Sequence, residues 1–138
     1  MSMPKSLLQH IFTHACNQGE LAAIHEFIAP QDASHTERKG ESAGHINLTH
    51  LIATLRAAFP DLYCTIEDEI SADDKVAAHW ILRGTHNGLF LGNYPTGRAV
   101  VARGIIFARV DNGRIAEEWT LVDQMGILQQ LGLIPTSI

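Results

Sequence analysis

The change in hydrophobic period at Pro60 constrains the fold of this 138-residue chain more than any other feature. Before Pro60, apolar residues recur at the spacing of a helix, most clearly over residues 47–59. After Pro60, apolar and polar residues alternate as in a strand, first over residues 62–70. Helices grouped first and strands grouped after predict an α+β domain.

Three helices are expected before Pro60. Residues 4–17 carry an apolar stripe with Pro4 in the first turn, and Gly19 ends that segment. Residues 20–28 predict a second, short helix that Pro30 stops, and residues 47–59 predict a third. The polar stretch 31–43 is expected to be a loop, with room for one short extended piece.

Four antiparallel strands and a short helix are expected after Pro60. The strands are residues 62–70, 75–86, 98–110 and 114–122, and the last helix follows Asp123. The sheet should wrap its apolar face around the helices. Because both faces of the long strands carry apolar residues, we expect one face to line a cavity and the other to pack on a partner sheet, as in a homodimer.

Composition narrows the class of protein further. Hydrophobic residues make up 46% of the chain and charged residues 18%, which fits one compact domain over residues 1–138. The net charge is -5 and no basic run occurs, so a nucleic-acid surface is not expected. No apolar export segment or membrane span is seen, and Cys16 and Cys64 are interpreted as buried, reduced thiols. A cytoplasmic location is therefore expected.

Asp123 lies where the last strand becomes the last helix, and two roles are open to it. Its carboxylate can cap the helix by accepting the backbone N–H of Met125 or Gly126. Alternatively, it can point from the strand end into an apolar interior, where desolvation raises the pKa of the carboxyl and makes it a usable acid or base. The residues by themselves favour the cap.

Five stretches resemble, in order and spacing, the polyketide-cyclase branch of the NTF2-like superfamily, called SnoaL-like or ester-cyclase-like. They are AFPDL (58–62), GTHNG (84–88), GNYPTGR (92–98), DNGRIAEEW (111–119) and DQMGILQQLG (123–132). The resemblance implies a cone-shaped α+β barrel, in which a curved, mostly antiparallel sheet closes around an apolar pocket with the helices as its lid. It also implies a dimer or a tetramer, and chemistry without a metal or an organic cofactor.

The resemblance also implies a catalytic residue. In characterised cyclases of this family, an Asp at the place of Asp123 is the acid/base for an intramolecular aldol closure. That reaction needs a base for a proton alpha to a carbonyl and a donor for the enolate oxygen. His79 is the second catalytic candidate: it can donate to the enolate, or pair with Asp123 and hold it ionised. The chain departs from the family at His79, where Arg is common, and it lacks the His that known cyclases place on the strand matching 98–110.

Arg103 is a candidate substrate-binding residue whose position depends on strand register. If Asn112 and Gly113 form a two-residue type I′ turn, residue 106 lies opposite Trp119 and Arg103 faces away from Asp123. If Gly113 is a bulge after a type I turn, residue 105 lies opposite Trp119 and Arg103 shares the Asp123 face. The family resemblance favours the second register.

Three more side chains are candidates for substrate binding. Trp119 and Trp80 are expected in the core or the pocket wall, where an indole can stack on an aromatic ligand. His35 lies in the polar loop, where relatives often place a His or Asn near the pocket mouth. His86 is interpreted as structural, and no His, Cys or carboxylate spacing indicates a metal site.

Three functions follow from these patterns. The first is a cofactor-free cyclase or isomerase of a hydrophobic, ketone-bearing small molecule, with Asp123 as acid/base. The second is a noncatalytic NTF2-like shell that binds a hydrophobic ligand, with Asp123 as a helix cap only. The third is a cofactor-independent hydratase or epoxide hydrolase, which needs a carboxylate–Arg–carboxylate cluster such as Asp123, Arg103 and Glu117.

Overall fold

A computed structural model of the chain describes residues 6–34 and 48–135. The first helix begins at α1, Leu7–Ile11, where the Ser6 hydroxyl accepts a hydrogen bond from the Gln9 N–H at 3.0 Å. It continues as a wider π-helical segment, Phe12–Asn17, and Gly19 ends it with a φ of 73°. The predicted first helix is thus confirmed over its described part.

No helix in the described ranges is long and apolar enough to cross a membrane.

The second predicted helix is shorter than expected, because a strand takes over its end. A 3₁₀ helix spans Leu21–Glu26, and strand β1 then runs over Ile28–Ser34. β1 lies parallel to the last strand of the sheet, with Ile28 opposite Ile115 and Ser34 opposite Glu118. Residues 31–34 of β1 match the short extended piece that the loop prediction allowed, but their pairing with the last strand was not predicted. Residues 35–43 of that loop lie outside the described residues.

The remaining elements follow the predicted order. They are α2 (Leu48–Ala58), β2 (Tyr63–Ala72), β3 (Lys75–Thr85), β4 (Ala99–Asp111), β5 (Arg114–Val122) and α3 (Gln124–Gln130). The five strands form one open, curved sheet in the order β1-β5-β4-β3-β2. Only the β1–β5 pair is parallel. The α+β fold with a mostly antiparallel, curved sheet is confirmed.

The hairpin between β4 and β5 carries the predicted two-residue turn. Asn112 and Gly113 both have positive φ, 52° and 75°, as a type I′ turn requires, and Asp111 lies opposite Arg114. The register then shifts by one residue, because Ala116 is an extra residue in β5. The bulge therefore lies in the strand, and not in the turn.

This bulge decides which side chains share a face of the sheet. Trp119 lies opposite Phe107, so neither of the two predicted partners of Trp119 is correct. Ile115, which simple alternation counted back from Asp123 would put on the face of Asp123, is fully buried on the opposite face. Arg103 lies on the same face as Trp119 and Asp123, as the family resemblance favoured.

The helices cover one face of the sheet, which we call the inner face. Its apolar side chains pack against the helices in one core, and Phe12 of the π-helical segment meets the Trp80 ring edge to face, with the ring centroids 5.4 Å apart. The inner-face residues of β3, β4 and β5 include Val76, Ala78, Trp80, Leu82, Val100, Ala102, Ile106, Ala108 and Ile115, all of them buried. The other side of the sheet is the outer face.

Candidate functional site

A cleft of about 440 Å³ lies on the outer face, where β3, β4 and the end of β5 meet. Three of its lining residues are ionisable and come from different elements: His79, Arg103 and Asp123. The apolar part of the wall comes from Ile105, Leu121 and Val122, with Gly104 between them. The cleft therefore combines a carboxylate, an imidazole and a guanidinium with an apolar surface.

Asp123 is held in place from both sides. Its backbone N–H donates to the Arg103 carbonyl at 3.0 Å, which continues the β4–β5 ladder by one residue. Its Oδ1 accepts a hydrogen bond from the Gly126 N–H at 2.9 Å, so Asp123 caps α3. The side chain is exposed and does not point into the core. The cap, which the residues favoured, is confirmed, and the expectation of a desolvated interior carboxylate is not met.

Gly126 is the residue that makes room for this carboxylate. A Cβ built on Gly126 would collide with Oδ2 of Asp123. A glycine inside a helix costs about 1 kcal/mol relative to alanine, so its presence at the third position of α3 needs a local reason. The position of the Asp123 carboxylate supplies that reason, and a glycine three residues after a capping Asp was the signal in the sequence that could have indicated it.

His79 and Arg103 reach the cleft from neighbouring strands. His79 lies opposite Ile105, and Arg103 lies opposite Ile81, so both side chains leave the sheet on the outer face. His79 is half-buried and Arg103 is exposed. The structure thus brings together the two catalytic candidates, Asp123 and His79, and one substrate-binding candidate, Arg103.

The two tryptophans lie on opposite faces of the sheet. Trp119 is 37% exposed on the outer face, one cross-strand row from the cleft, and its ring meets that of Phe107 at 5.3 Å. Trp80 is buried on the inner face, where its indole lies across Gly104. Of its two predicted locations, core and pocket wall, Trp80 takes the core. His35 lies outside the described residues.

A second carboxylate, Glu118, lies on the inner face and is fully buried. Its Oε1 accepts a hydrogen bond from the Thr120 hydroxyl at 3.3 Å. The alternation of apolar and polar residues gives no sign that a carboxylate at position 118 is completely buried. By plain alternation this side chain leaves β5 on the face opposite to Trp119 and Asp123, and it is buried because the helices cover that face, which the sequence does not signal.

His86 has the structural role that the sequence predicted. Its ring is buried, and its Nδ1 accepts a hydrogen bond from the Thr96 N–H at 3.1 Å, which closes the loop between β3 and β4. Among residues 6–34 and 48–135, no three His, Cys, Asp or Glu side chains are grouped as metal ligands would be.

The chain belongs to the SnoaL-like polyketide cyclase family, whose model matches residues 6–131. Among solved structures it is similar to IdmH of Streptomyces antibioticus, a candidate polyketide cyclase, with 31% identity, a TM-score of 0.76, and 91% of this chain and 96% of that chain covered. It is also similar to a candidate polyketide cyclase of Acidithiobacillus ferrooxidans, with 25% identity, a TM-score of 0.81, and coverage of 96% and 98%.

AclR of Streptomyces galilaeus, a candidate hydroxylase, has the same fold, with 24% identity, a TM-score of 0.81, and coverage of 96% of this chain and 82% of that chain. No curated protein matches the chain. The fold is therefore shared by proteins assigned to different chemistry, and the choice between reactions rests on the residues of the site.

Proposed function

We propose that this protein is a cofactor-free, polyketide cyclase-like enzyme. Its reaction is the intramolecular aldol closure, or a related isomerisation, of a hydrophobic small molecule that carries a ketone. The single observation that carries the proposal is the convergence of Asp123, His79 and Arg103 on one apolar-walled cleft. Membership of the SnoaL-like polyketide cyclase family supports the same reaction class.

In the proposed reaction, Asp123 is the base. The carboxylate removes a proton alpha to the substrate ketone, and the electron pair of that C–H bond passes to the carbonyl oxygen as an enolate. Arg103 and His79 donate hydrogen bonds to the enolate oxygen, which stabilises the charge as it develops. The enolate carbon then attacks a second carbonyl of the same molecule, and the protonated Asp123 returns its proton to the new alkoxide, so that no cofactor is consumed.

The helix cap supports this role for Asp123, because it fixes the carboxylate at the mouth of the cleft. Oδ1 is held by the Gly126 N–H, and Oδ2 lies over the Gly126 backbone. A catalytic group whose rotamer is fixed by a second contact loses less freedom in the transition state. We propose that the apolar wall of the cleft binds the hydrophobic part of a small-molecule substrate.

The first half-reaction can be measured without the natural substrate. β-Tetralone, an apolar ketone with acidic alpha protons, exchanges these protons in heavy water, and proton NMR follows the loss of signal. We expect the protein to accelerate the exchange and Asp123→Asn to reduce the acceleration by about a hundredfold, the lower end of what general base catalysis contributes. Because Asn caps a helix about as well as Asp, the fold should stay intact.

Circular dichroism and the unfolding midpoint of Asp123→Asn serve as the control for folding. Exchange as fast in folded Asp123→Asn as in the wild type would overturn the assignment of Asp123 as the base. Asp61 offers a matched control, because its carboxylate also accepts a backbone N–H, that of Thr85 at 2.7 Å, but lies outside the cleft. Asp61→Asn should leave the exchange rate unchanged.

A noncatalytic ligand-binding shell is the second candidate function, and the exposure of Asp123 favours it. In that case Asp123 is a cap only, and the ligand binds to the apolar wall of the cleft. The hydratase alternative has less support, because Glu117 is not part of the cleft and its Oε1 lies 3.3 Å from Nε of Arg109.

The proposed assembly is a homodimer, with a tetramer as the larger alternative.

A cytoplasmic location belongs to the same proposal. Cys16 and Cys64 are both buried and both free thiols. A hydrogen bond that the protonated Cys16 side chain makes with Cys64, together with burial, raises the pKa of the Cys16 thiol well above its usual value, so it stays protonated and unreactive. The proposed location is one in which two neighbouring thiols would stay reduced, because disulfides form and persist in oxidising compartments.

A further inference from the structure

A second cleft lies between the first helix and the start of β2, which is the last strand in the order of the sheet. We call it the edge cleft. Its volume is about 500 Å³, within the range of about 300–1,000 Å³ that small-molecule sites occupy. It shares no lining residue with the cleft around Asp123, so it is a separate candidate site.

The side chains that line the edge cleft are mostly polar and uncharged. Six of its eight lining residues carry an amide or a hydroxyl group: Gln9, Thr13, Asn17, Gln18, Tyr63 and Thr65. None of the eight is Asp, Glu, His, Lys or Arg, whereas the cleft around Asp123 has three ionisable side chains. Most small-molecule sites are largely apolar with a few polar groups. A lining of amides and hydroxyls instead fits a ligand that is neutral and rich in hydrogen-bonding groups.

The π-helical segment keeps three of these side chains on one side of the first helix. Four residues are more than one turn of an α-helix and less than one turn of the wider π-helix. The wider turn is seen directly, because the Gln18 N–H donates to the Thr13 carbonyl, five residues back, at 3.1 Å. A continuous α-helix would carry every fourth residue progressively around the axis, and the π-helical segment reverses this drift. Asn17 therefore stays on the side of Gln9 and Thr13, facing β2. π-Helical turns are rare and are often found at functional sites.

Asn17 occupies the edge of β2 where another strand would pair. Its Oδ1 accepts a hydrogen bond from the Cys64 N–H at 2.6 Å, and its Nδ2 donates to the Cys64 carbonyl at 3.0 Å. Because backbone groups alternate in direction along an antiparallel strand, the N–H and C=O of Ile66 also point away from β3, on the side of the edge cleft. The edge is thus closed to an added strand at Cys64, while Ile66 offers a donor and an acceptor to a small molecule.

Tyr63 and Thr65 complete the wall on the β2 side. The Tyr63 side chain is 54% exposed, so its ring has a face open to a ligand. An aromatic ring packs well on the C–H groups of a saturated ring, and its hydroxyl group supplies a polar end. The hydroxyl groups of Tyr63 and Thr65 can each donate and accept a hydrogen bond. These groups suit a ligand that has an apolar ring face and a polar rim.

We infer that the edge cleft binds a neutral, polyhydroxylated small molecule, such as a sugar ring. The amides of Gln9 and Gln18 each present a donor and an acceptor side by side, which matches neighbouring hydroxyl groups on a ring. The Tyr63 ring packs against the C–H face of the ligand, and the Ile66 backbone bonds to its rim. A carboxylate or a phosphate would meet no cationic side chain among the lining residues. This site goes beyond the proposed function and does not depend on it.

NMR titration of the nitrogen-labelled protein with glucose, maltose and myo-inositol tests the inference on the wild type. We expect at least one of these neutral probes to shift the side-chain amide signals of Gln9 and Gln18 and the backbone amide signal of Ile66, with saturation below about 100 mM. The side-chain amide of Gln130 is the internal control, because it is held by the Val101 backbone outside the edge cleft and should not shift. Glucuronate, a glucose ring with a carboxylate, should not bind more tightly than the best neutral probe. No saturable shift with any of the three probes, or tighter binding of glucuronate, would overturn the inference.

Two tyrosines provide matched variants. Tyr63→Ala removes the ring from the wall of the edge cleft, and Tyr94→Ala removes an 83% exposed ring from the loop after β3, outside the cleft. We expect Tyr63→Ala to weaken binding of the best neutral probe about tenfold and Tyr94→Ala to leave it unchanged. Thr65→Val keeps the branched shape and removes the hydroxyl group, and should weaken binding about threefold. Unfolding midpoints confirm that the variants are folded. Equal affinity of folded Tyr63→Ala and the wild type would refute the edge cleft as the site.

The outcome is distinguishable from a failure of the proposed function. Asp123→Asn should bind the best neutral probe as the wild type does, because Asp123 is not part of the edge cleft. If Asp123→Asn loses β-tetralone exchange but no neutral probe binds, the edge cleft fails and the acid/base role stands. If a probe binds as expected but Asp123→Asn exchanges protons normally, the acid/base role fails and the edge cleft stands.

Discussion

The two faces of the sheet are built from the same strands but differ in the burial of their apolar residues. On the inner face, Ile106 and Leu82 are fully buried under the helices, and small residues such as Ala78 let the backbones approach. On the outer face, Ile105 and Leu121 are more than half exposed. Within residues 6–34 and 48–135, the helices cover the inner face, so the apolar residues of the outer face are accessible to a ligand.

The largest expected effect compares two neighbouring isoleucines on β4. Ile106→Ala empties a fully buried site and should lower the free energy of unfolding by about 2–5 kcal/mol, because transfer and cavity costs add. Ile105→Ala removes the same atoms from the outer face, where the cost should be about 0.5 kcal/mol or less. Urea unfolding at concentrations where the chain is monomeric measures both. Similar costs at the two sites would show that the faces do not differ as described.

The next effect tests Gly126 as the residue that positions Asp123. In Gly126→Ala, the new Cβ collides with the carboxylate, so Asp123 must turn away from its place in the cleft. We expect about a tenfold loss of β-tetralone exchange, while the better helix propensity of alanine, about 1 kcal/mol, offsets the lost cap in the free energy of unfolding. Gln124→Ala, at the first position of the same helix, is the control and should exchange normally. Full activity of Gly126→Ala would remove the positioning role.

The cap itself gives a smaller effect on stability. Asp123→Ala removes the acceptor of the Gly126 N–H and should lower the free energy of unfolding by about 1 kcal/mol, whereas Asp123→Asn should change it little. Urea titrations of the two variants at neutral pH separate the cap from the chemistry. If alanine were tolerated as well as asparagine, the hydrogen bond to Gly126 would have no measurable role in the stability of the fold.

The smallest effect concerns Asp61, the carboxylate that serves as control for Asp123. Hydrogen bonds from the N–H and the hydroxyl of Thr85 lower the pKa of Asp61 below its usual value of 3.8. A carboxyl whose pKa is lower in the folded state than in the unfolded state increases the free energy of unfolding at pH values above the unfolded-state pKa. This contribution is lost as the pH falls through the folded-state pKa. The stability difference between the wild type and Asp61→Ala should therefore shrink as the pH is lowered from about 5 through the acid range. A difference that is constant over this range would contradict the assignment.

Most of the architecture followed from hydrophobic period, because β2 to β5 alternate clearly and end at recognisable turns. β1 was expected only as a short extended piece of a loop, since Ile28–Ser34 contains Pro30 and Asp32, which are unfavourable in strands, and it joins the sheet by pairing with the distant β5. The π-helical geometry after α1 also left no signal, because the apolar stripe of residues 4–17 is that of an ordinary helix.

The candidate site was predictable in its members but not in its surroundings. Asp123, His79 and Arg103 were all candidates from the sequence and lie on one cleft, although the register that the resemblance favoured for Arg103 is wrong by two residues, since residue 107 and not residue 105 lies opposite Trp119. The bulge at Ala116 has no sequence signal, so the move of Ile115 to the inner face could not be predicted. Nor could alternation show which face the helices cover, since apolar residues recur every second position on both faces.

The most direct test of the outer-face cleft as the site is an NMR titration of the nitrogen-labelled protein with anthraquinone sulfonate, an aromatic ketone, which locates the bound ligand. We expect the largest chemical-shift changes at the amides of residues 103–105 and 121–124, around the outer-face cleft, and no change in the chemical shift of the Trp80 indole N–H on the inner face. Shifts centred on the Trp80 indole and on Glu118, with the amides of Arg103 and Asp123 unchanged, would place the ligand inside the cone and contradict the assignment of the outer-face cleft as the site.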